Sequence, residues 1–400
     1  MRQVAVVGAG MTRFGKHVER SMKDLAREAI EGAVQSAGVS TPDIEAAAVG
    51  NAVAGLITGQ ECIRGQVVLR ELGIGGIPVI NTENACASSS TAFHLAWLYV
   101  ASGMYDVVLA LGMEKLFHPD KQRTFEAIGS AIDLEQADTF AREMSGERSG
   151  GAGQSRSVFM DYYANLARQH MQRYGTTQEQ FARIAAKNHT NGSLNPHAQY
   201  QTRRSVEEVL AAPLIADPLT RMMCSPIGDG AAAVLVTTAD KARQLTSRPV
   251  YVKASTLGSS KEHAADSPGI VPSVAHKAYE QAGLGPEDLQ VVEVHDATAP
   301  AELLVYEELG LCQTGEGGKL IDQGVTQLGG RCPVNPSGGL LAKGHPVGAT
   351  GVAQICEIFW QLRGEAGERQ VAGAKVGLTE NGGGVLGGEN AAASIHVFSV

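Results

Sequence analysis

The sequence lacks the features of a membrane or secreted protein. No uninterrupted apolar run is long enough to span a bilayer. The N-terminus has no charged region followed by an apolar segment and a cleavage site, so we expect no signal peptide. The last three residues, Phe398 to Val400, are not a peroxisomal targeting signal. Six scattered cysteines without a Cys-x-x-Cys pair do not form a disulfide framework, and they predict reduced thiols in a cytoplasm.

An excess of positive charge is also missing. The formal net charge of −9 at pH 7 gives no electrostatic reason to expect nucleic acid or an anionic membrane as a partner. A dinucleotide site is disfavoured as well: Gly8-Ala9-Gly10 follows an apolar strand, but Arg13 stands where the phosphate turn needs a small residue. The remaining composition, 44% apolar and 19% charged over 400 residues, is that of a globular enzyme with room for two domains.

The most distinctive stretch of the chain runs from Asn335 to Gly351. It places one histidine, His345, among glycines and prolines and leads into an apolar run, 352–362, that predicts a helix. Pro346 disfavours helical backbone at His345, so the pattern predicts an imidazole held on a short loop at a helix entrance. Clusters of glycine and proline also mark ordinary turns, and this stretch alone leaves both interpretations open.

A second stretch with the same layout favours the functional interpretation. An apolar run, 77–80, ends at Asn81, and small and polar residues then surround Cys86 ahead of a helix-like run, 91–100. A cysteine at a helix start feels the positive end of the helix dipole, which favours the thiolate. We therefore predict a reactive, low-pKa thiol at Cys86, although most cysteines are buried for structural reasons.

Both stretches belong to an internal duplication. At one constant offset of 245 residues, Ala37, Gly38, Asp43, Ile44 and Val49 match Ala282, Gly283, Asp288, Leu289 and Val294. Strands and helices alternate in each copy, which predicts two α/β halves. We assign 1–116 with 222–246 to the first half, 247–400 to the second, and 117–221 to an insertion of loops and helices.

These features together resemble the thiolase superfamily. Asn335 to Gly351 is similar to its histidine motif, Cys86 stands where these enzymes keep their nucleophile, and the segment 303–374 resembles the sterol-carrier-protein-2 type most closely. The resemblance spans essentially the whole chain. It implies an α/β duplicated thiolase fold, with two five-layered α/β/α/β/α halves and an inserted loop domain that covers the active site.

The resemblance also implies catalytic roles. Cys86 would carry the acyl group and His345 would accept its proton. His295, which ends a predicted strand, would help to hold the thioester oxygen in an oxyanion hole. The alternative is a structural histidine bonded to its neighbour Asp296.

The sequence departs from the family at the second catalytic cysteine. The sterol-carrier type often has it where this chain has Ala297, and other thiolases have it near the C-terminus, at or next to Glu380. We predict that Glu380 takes over this proton transfer with a pKa raised by burial, and His295 is its rival. A structural bond to the glycine-rich turn or to a lysine is the alternative role for Glu380. The backbone amides of Gly382 and Gly383 are the predicted oxyanion donors.

The first functional hypothesis is thiolysis of a 3-oxoacyl-CoA, or the reverse Claisen condensation, with coenzyme A as a substrate, no bound cofactor and no metal. The alternatives are a thiolase-like aldolase or C-acyltransferase, and a non-catalytic lipid or acyl-CoA carrier that works with an OB-fold partner. The resemblance also implies a homodimer or homotetramer, paired through the edge strand 77–81. Arginines of the insertion could meet the phosphates of CoA: Arg142, Arg148, Arg156, Arg203 and Arg204.

Overall fold

The computed structural model describes residues 1–145, 156–262 and 267–400, without the side chains of 143–145. The predicted Arg148 and the glycine-rich stretch 149–153 lie outside the described residues. The strands are β1 Val4–Met11, β2 Ala46–Gly50, β3 Val79–Thr82, β4 Val107–Glu114, β5 Leu214–Ala216, β6 Leu219–Thr220, β7 Gly230–Thr238, β8 Val250–Ser259, β9 Val291–Glu293, β10 Val376–Leu386 and β11 Glu389–Ser399. The helices are α1 Met22–Ala37, α2 Ala54–Thr58, α3 Arg64–Glu71, α4 Ser88–Ser102, α5 Lys121–Gly129, α6 Ala137–Ser145, α7 Val158–Tyr174, α8 Gln178–Ser193, α9 Val206–Leu210, α10 Ala239–Leu245, α11 Ile270–Ala282, α12 Ala299–Glu308, α13 Gly317–Asp322, α14 Gly339–Ala342 and α15 Thr350–Arg363.

One mixed sheet contains the strands of both halves. Its order is β3-β2-β4-β7-β1-β8-β11-β10-β9, and the halves join where β1 pairs antiparallel with β8. The predicted duplication is confirmed by matching helix ends: α1 is closed by Gly38 at φ 67° and α11 by Gly283 at φ 65°. Both glycines take the left-handed conformation that ends a helix at little steric cost.

Side chains that alternate along the strands divide the core into layers. Val4 and Val6 of β1 pack with α4 and α15 in one apolar cluster, whereas Ala5 and Val7 pack with α1 in another. A third cluster joins α11 and α12 to the strands of the second half. The five layers are therefore α1, the first-half strands of the sheet, α4 with α15, the second-half strands of the same sheet, and α11 with α12. The fold class is confirmed, and the five layers are built by the two halves together because they share the central helix layer.

The described part of the inserted range 117–221 contributes no strand to the large sheet. It holds α5 to α9 and a separate two-stranded sheet of β5 and β6. Within it, α8 begins at a capping box made by Thr177 and Gln180. The end of the first half, just before β8, forms the helix α10. No helix among the described residues has the length and apolar content needed to cross a bilayer.

Candidate active site

Cys86 and His345 come from different halves and face each other. The Sγ atom of Cys86 lies 3.3 Å from Nε2 of His345. Cys86 occupies a 3-10 turn, Ala85–Ala87, directly before α4, and a second such turn, Val347–Ala349, separates His345 from α15. The other ring nitrogen of His345 is held 2.7 Å from Oγ1 of Thr350, which fixes the orientation of the imidazole. This is a nucleophile–base contact of the kind that covalent catalysis requires.

Close packing of the two helix starts brings these loops together. A Cβ atom on Gly351 would collide with Oγ of Ser90 and lie 2.6 Å from its backbone nitrogen, so only glycine allows the approach. The buried carboxylate of Glu114 also joins the halves, since it accepts hydrogen bonds from the amides of Gly348 at 2.8 Å and Ala52 at 3.1 Å. The backbone on both sides of the contact is therefore fixed.

His295 is the third residue at this point. The reactive atoms of Cys86, His295 and His345 all lie within 4.8 Å of one another. The Nε2 atom of His295 has no hydrogen-bond partner among the described residues. Burial lowers the pKa of His295 to about 4, so the imidazole is neutral at pH 7. The three side chains have the ligand types of a zinc site, but a neutral imidazole facing an open cavity also suits a substrate oxygen.

The structural alternative for His295, a bond to Asp296, does not occur. Asp296 accepts instead from the backbone amide of Leu340 at 2.6 Å and from the side-chain amide of Asn188 at 2.8 Å. Asn188 belongs to α8 and also donates to the carboxylate of Glu302 at 2.6 Å. This buried network connects the insertion with the loop that ends at His345 through hydrogen bonds to two carboxylates.

The predicted low pKa of Cys86 is wrong for the free site. Burial, with a smaller contribution from the nearby carboxylate of Glu114, raises the pKa of Cys86 to about 12. Burial also lowers the pKa of His345 well below its ordinary value, with a smaller contribution from His295. The loss of water outweighs the helix-start effect, so the resting pair is a neutral thiol and a neutral imidazole. The thiolate forms only as the proton passes to His345.

The glycine amide that acts on the sulfur of Cys86 is that of Gly384, and Gly382 and Gly383 as oxyanion donors stay predictions. The amides of Gly384 and of Cys86 itself favour the thiolate and lower its pKa against the effect of burial. A Cβ atom on Gly382 would meet the side chain of Asn390, and one on Gly383 would collide with the carbonyl of Asn84. Gly382 and Gly383 are therefore required for close packing in β10. The amide that acts on the sulfur of Cys86 is that of Gly384, one residue later.

A cavity of about 960 Å³ opens beside the three reactive side chains. Basic side chains in its wall are Lys16, Arg64, Lys121, Arg156, Arg204 and Arg221. Of the predicted arginines, Arg156 and Arg204 are in this set, with Arg156 also paired to Asp161 at 2.7 Å. Arg142 and Arg203 are not part of the wall. The cavity therefore combines a reactive thiol with a basic surface that suits phosphates.

Comparison with known proteins identifies the family. The thiolase N-terminal domain matches residues 4–240, and the thiolase C-terminal domain-like family matches residues 258–397. The chain belongs to the thiolase family. It is 43% identical to an acetyl-CoA acetyltransferase of Methanothermobacter thermautotrophicus, over 100% of both chains. It is 38% identical to sterol carrier protein 2 of Bos taurus, over 95% of this chain and 70% of that one.

A solved structure shows the same thiolase fold. The Ltp2-ChsH2(DUF35) aldolase superposes with a TM-score of 0.80 at 24% identity, over 100% of this chain and 98% of that one. Acetyltransferases and an aldolase therefore share this architecture, so the fold leaves the reaction to be argued from the side chains in the cavity.

In this thiolase, Glu380 lies behind His295 and not in the cavity wall. One carboxylate oxygen of Glu380 accepts the backbone amide of His295 at 2.9 Å, and the other has no partner among the described residues. The predicted bond to a lysine does not occur among the described residues, and the nearby Lys343 contacts Glu293 at 3.2 Å instead. Burial raises the pKa of Glu380 to about 7, in the expected direction. Its geometry fits a residue that positions His295 and does not fit direct proton transfer to substrate.

The substitution Glu380→Gln is expected to stabilise the protein at alkaline pH. The folded state holds the Glu380 proton more tightly than the ordinary pKa of 4.5 would, so ionisation destabilises the fold as pH rises from about 4.5 through about 7. Glutamine removes this penalty, which amounts to about 3 kcal/mol above pH 7, and keeps an oxygen that can accept the amide of His295.

Thermal unfolding of both proteins at pH 5 and pH 8 measures the effect. The advantage of the glutamine variant should be larger at pH 8. An equal difference at both values would contradict the buried, titrating carboxyl group. Acylation of Cys86 and exchange of the substrate α-protons should both persist in the variant, and loss of exchange alone would restore Glu380 as the proton carrier.

Three residues of the site were missed in the sequence: Glu114, Asn188 and Gly384. Glu114 ends a fully buried apolar strand, and Asn188 lies on the apolar face of α8 with Phe181 and Ala185. A polar residue at such a position signals a buried hydrogen-bond network, because it would otherwise be costly to bury. Gly384 had no comparable signal, since it is one of three consecutive glycines.

Proposed function

We propose that the chain transfers acyl groups between CoA thioesters, by thiolysis of a 3-oxoacyl-CoA or the reverse Claisen condensation. The 3.3 Å contact between Sγ of Cys86 and Nε2 of His345, at the wall of a large cavity, carries this proposal. As Sγ attacks a carbonyl carbon, its proton passes to Nε2, and the acyl group is left on Cys86. The same pair then releases the acyl group to an incoming thiol.

Three donors are proposed to stabilise the two oxygens that become negative, one in each half-reaction. The amides of Gly384 and Cys86 favour negative charge at the sulfur, so we propose that they also stabilise the oxygen of a carbonyl group that the sulfur attacks. In the second half-reaction, the neutral imidazole of His295 would hold the oxygen of the other thioester. Donors that are fixed before the substrate arrives need no rearrangement in the transition state.

Coenzyme A is the proposed substrate of this site, as the name of the 43% identical relative suggests. The six basic residues of the cavity wall face only two carboxylates there, Glu61 and Glu83. Such an excess of positive charge favours a phosphorylated ligand. We propose no bound cofactor. A cytoplasmic location is also proposed, with all six cysteines as free thiols.

An isotope exchange assay tests the proposed reaction. With acetyl-CoA and labelled CoA, the acyl-Cys86 route predicts that label enters acetyl-CoA without any other substrate. The Cys86→Ala variant is the matched control and should give no exchange. Absence of exchange in the wild-type protein would overturn the proposal.

Retro-aldol cleavage is the second candidate. The fold is similar to that of the Ltp2-ChsH2(DUF35) aldolase, and Ala297 and Glu380 stand where thiolases often have a second cysteine. This cleavage needs no cysteine nucleophile, so the Cys86–His345 contact would have no purpose in it. An aldolase, or an acyl-CoA carrier bound to an OB-fold partner, would therefore transfer no label from CoA into acetyl-CoA.

We also propose that the protein is at least a homodimer, paired through β3. This strand lies at one edge of the sheet and pairs only with β2, and Ile80 on it is 36% exposed. An open edge strand with an exposed apolar residue favours pairing with a second copy. Light scattering at micromolar concentration should show a dimer or tetramer, and a stable monomer would contradict the proposal.

A charged substitution on the edge strand tests whether β3 is the interface. Ile80→Lys should shift the assembly towards monomers, because the new ammonium group would lose its water at the interface. Val18→Lys is the matched control, since Val18 is also exposed, at 59%, but lies away from β3. Equal behaviour of the two variants would place the interface elsewhere.

A further inference from the structure

The cavity holds a second thiol that the proposed reaction does not yet use. Cys224 lies in the chain segment between β6 and β7 and lines the same cavity as Cys86, His295 and His345. Its Sγ atom has a weak contact with the carbonyl of Thr220 at 3.5 Å. The side chain is partly buried and is a free thiol.

Backbone pairing places Cys224 beside the position of the missing second cysteine. Cys224 forms an antiparallel bridge with Thr298, and the amide of Ser225 donates to the carbonyl of Ala297 at 3.0 Å. Cys224 also packs against the apolar cluster that contains Ala297. Both residues line the cavity. A thiol is therefore presented from the neighbouring segment, although position 297 itself carries only a methyl group.

A second observation shows that this end of the cavity is prepared for a ligand. Nε2 of His295, two residues before Ala297, has no partner among the described residues, and only 6% of His295 is exposed. A buried polar atom without a partner is costly unless a ligand satisfies it. Substrate bound against His295 would place its reacting atoms between Cys86 and the segment that carries Cys224.

We propose that Cys224 is the second acid/base, which exchanges the proton at the substrate α-carbon in place of the absent cysteine at position 297. This inference rests on the proposed acyl-transfer function. Cys224 belongs to the segment that follows the insertion, whereas the sequence predicted Glu380 or His295 as the carrier of this proton.

The proton balance of the cleavage direction closes with this assignment. Cys86 gives its proton to His345 and attacks the 3-oxo carbon, the bond from that carbon to the α-carbon breaks, and the α-carbon takes the proton of Cys224. The thiol of CoA then gives its proton to the Cys224 thiolate and attacks the acyl group on Cys86. The released Cys86 sulfur regains the proton from His345. Condensation is the reverse of these steps.

The environment of Cys224 suits the donor role in this scheme. Burial raises the pKa of Cys224 to about 12, so the thiol is protonated when substrate arrives. It can therefore protonate the carbanion formed by cleavage, and the strongly basic thiolate that results readily takes the proton of CoA.

Exchange of the methyl protons of acetyl-CoA in deuterated water tests Cys224 separately from Cys86. Cys224→Ala should slow this exchange by about 10²–10⁴, the usual contribution of a general acid or base. Acetylation of Cys86, followed by mass spectrometry, should slow far less, because CoA can leave as a thiolate and take its proton from water. Cys224→Ser keeps the size of the side chain and should show the same loss. Cys62→Ala, at an exposed cysteine outside the cavity wall, is the control and should behave as wild type.

Three outcomes would overturn the inference. Wild-type exchange in Cys224→Ala would leave the proton to His295, and equal losses of exchange and acetylation would make Cys224 structural. The double variant Cys224→Ala with Ala297→Cys should regain exchange, and no recovery would contradict the claim that both positions present a thiol to the same carbon. Absence of Cys86 acetylation in the wild-type protein would be a failure of the proposed function instead.

Discussion

Replacing Cys86 by serine is expected to lower turnover by at least about a hundredfold. A hydroxyl group is a far poorer nucleophile than a thiol beside the same base. Here the resting thiol already has a pKa of about 12, so the reaction depends on the readiness of sulfur to attack as its proton leaves. Oxygen is less polarisable and holds its proton more tightly, which makes that step harder.

Turnover of 3-oxoacyl-CoA with CoA is the measurement for this variant. Serine is close to cysteine in size, and Cys86 contributes little to the two main apolar clusters, so thermal unfolding should stay near that of wild type. A normally folded Cys86→Ser protein with near-normal turnover would rule out the acyl-cysteine route.

Replacing His345 by alanine is expected to lower turnover by about 10²–10⁴, the range for loss of a general base. It should also slow alkylation of Cys86 by iodoacetamide, because a thiol with a pKa of about 12 has almost no thiolate at neutral pH without a base 3.3 Å away. Alkylation followed by peptide mass spectrometry measures this directly.

His295→Ala is the matched variant, since both imidazoles are buried at the same point of the cavity. It should lower turnover by about 10²–10³, the usual effect of removing one oxyanion donor. Alkylation of Cys86 should change little, because the Cys86–His345 contact remains. If the two variants affected alkylation alike, the separate roles of base and oxyanion donor would be wrong.

Most of the fold could be predicted because the duplication repeats its local signals. The repeated pattern includes Gly38 and Gly283, and the structure ends a helix at each of them. Sharing of the central helix layer could not be predicted, because it depends on the pairing of β1 with β8 across the two halves. That pairing has no signature in either strand alone.

The candidate site could also be predicted only in part. Cys86 and His345 stand in loops whose local sequence predicts a functional side chain, His295 was predicted from the family resemblance, and the structure brings all three together. Glu380 was predicted from the position of an absent cysteine, and its orientation towards the amide of His295 depends on tertiary packing. The predicted low pKa of Cys86 is wrong for a related reason. A helix start can be recognised in the sequence, whereas the loss of water around the sulfur cannot.

Mass spectrometry of the protein after incubation with acetyl-CoA tests the central claim most directly. We expect one acetyl group per chain, mapped by peptide analysis to Cys86. It should be absent from Cys86→Ala and should be removed by added CoA. An unmodified wild-type protein, or an acetyl group on another residue that CoA does not remove, would contradict it.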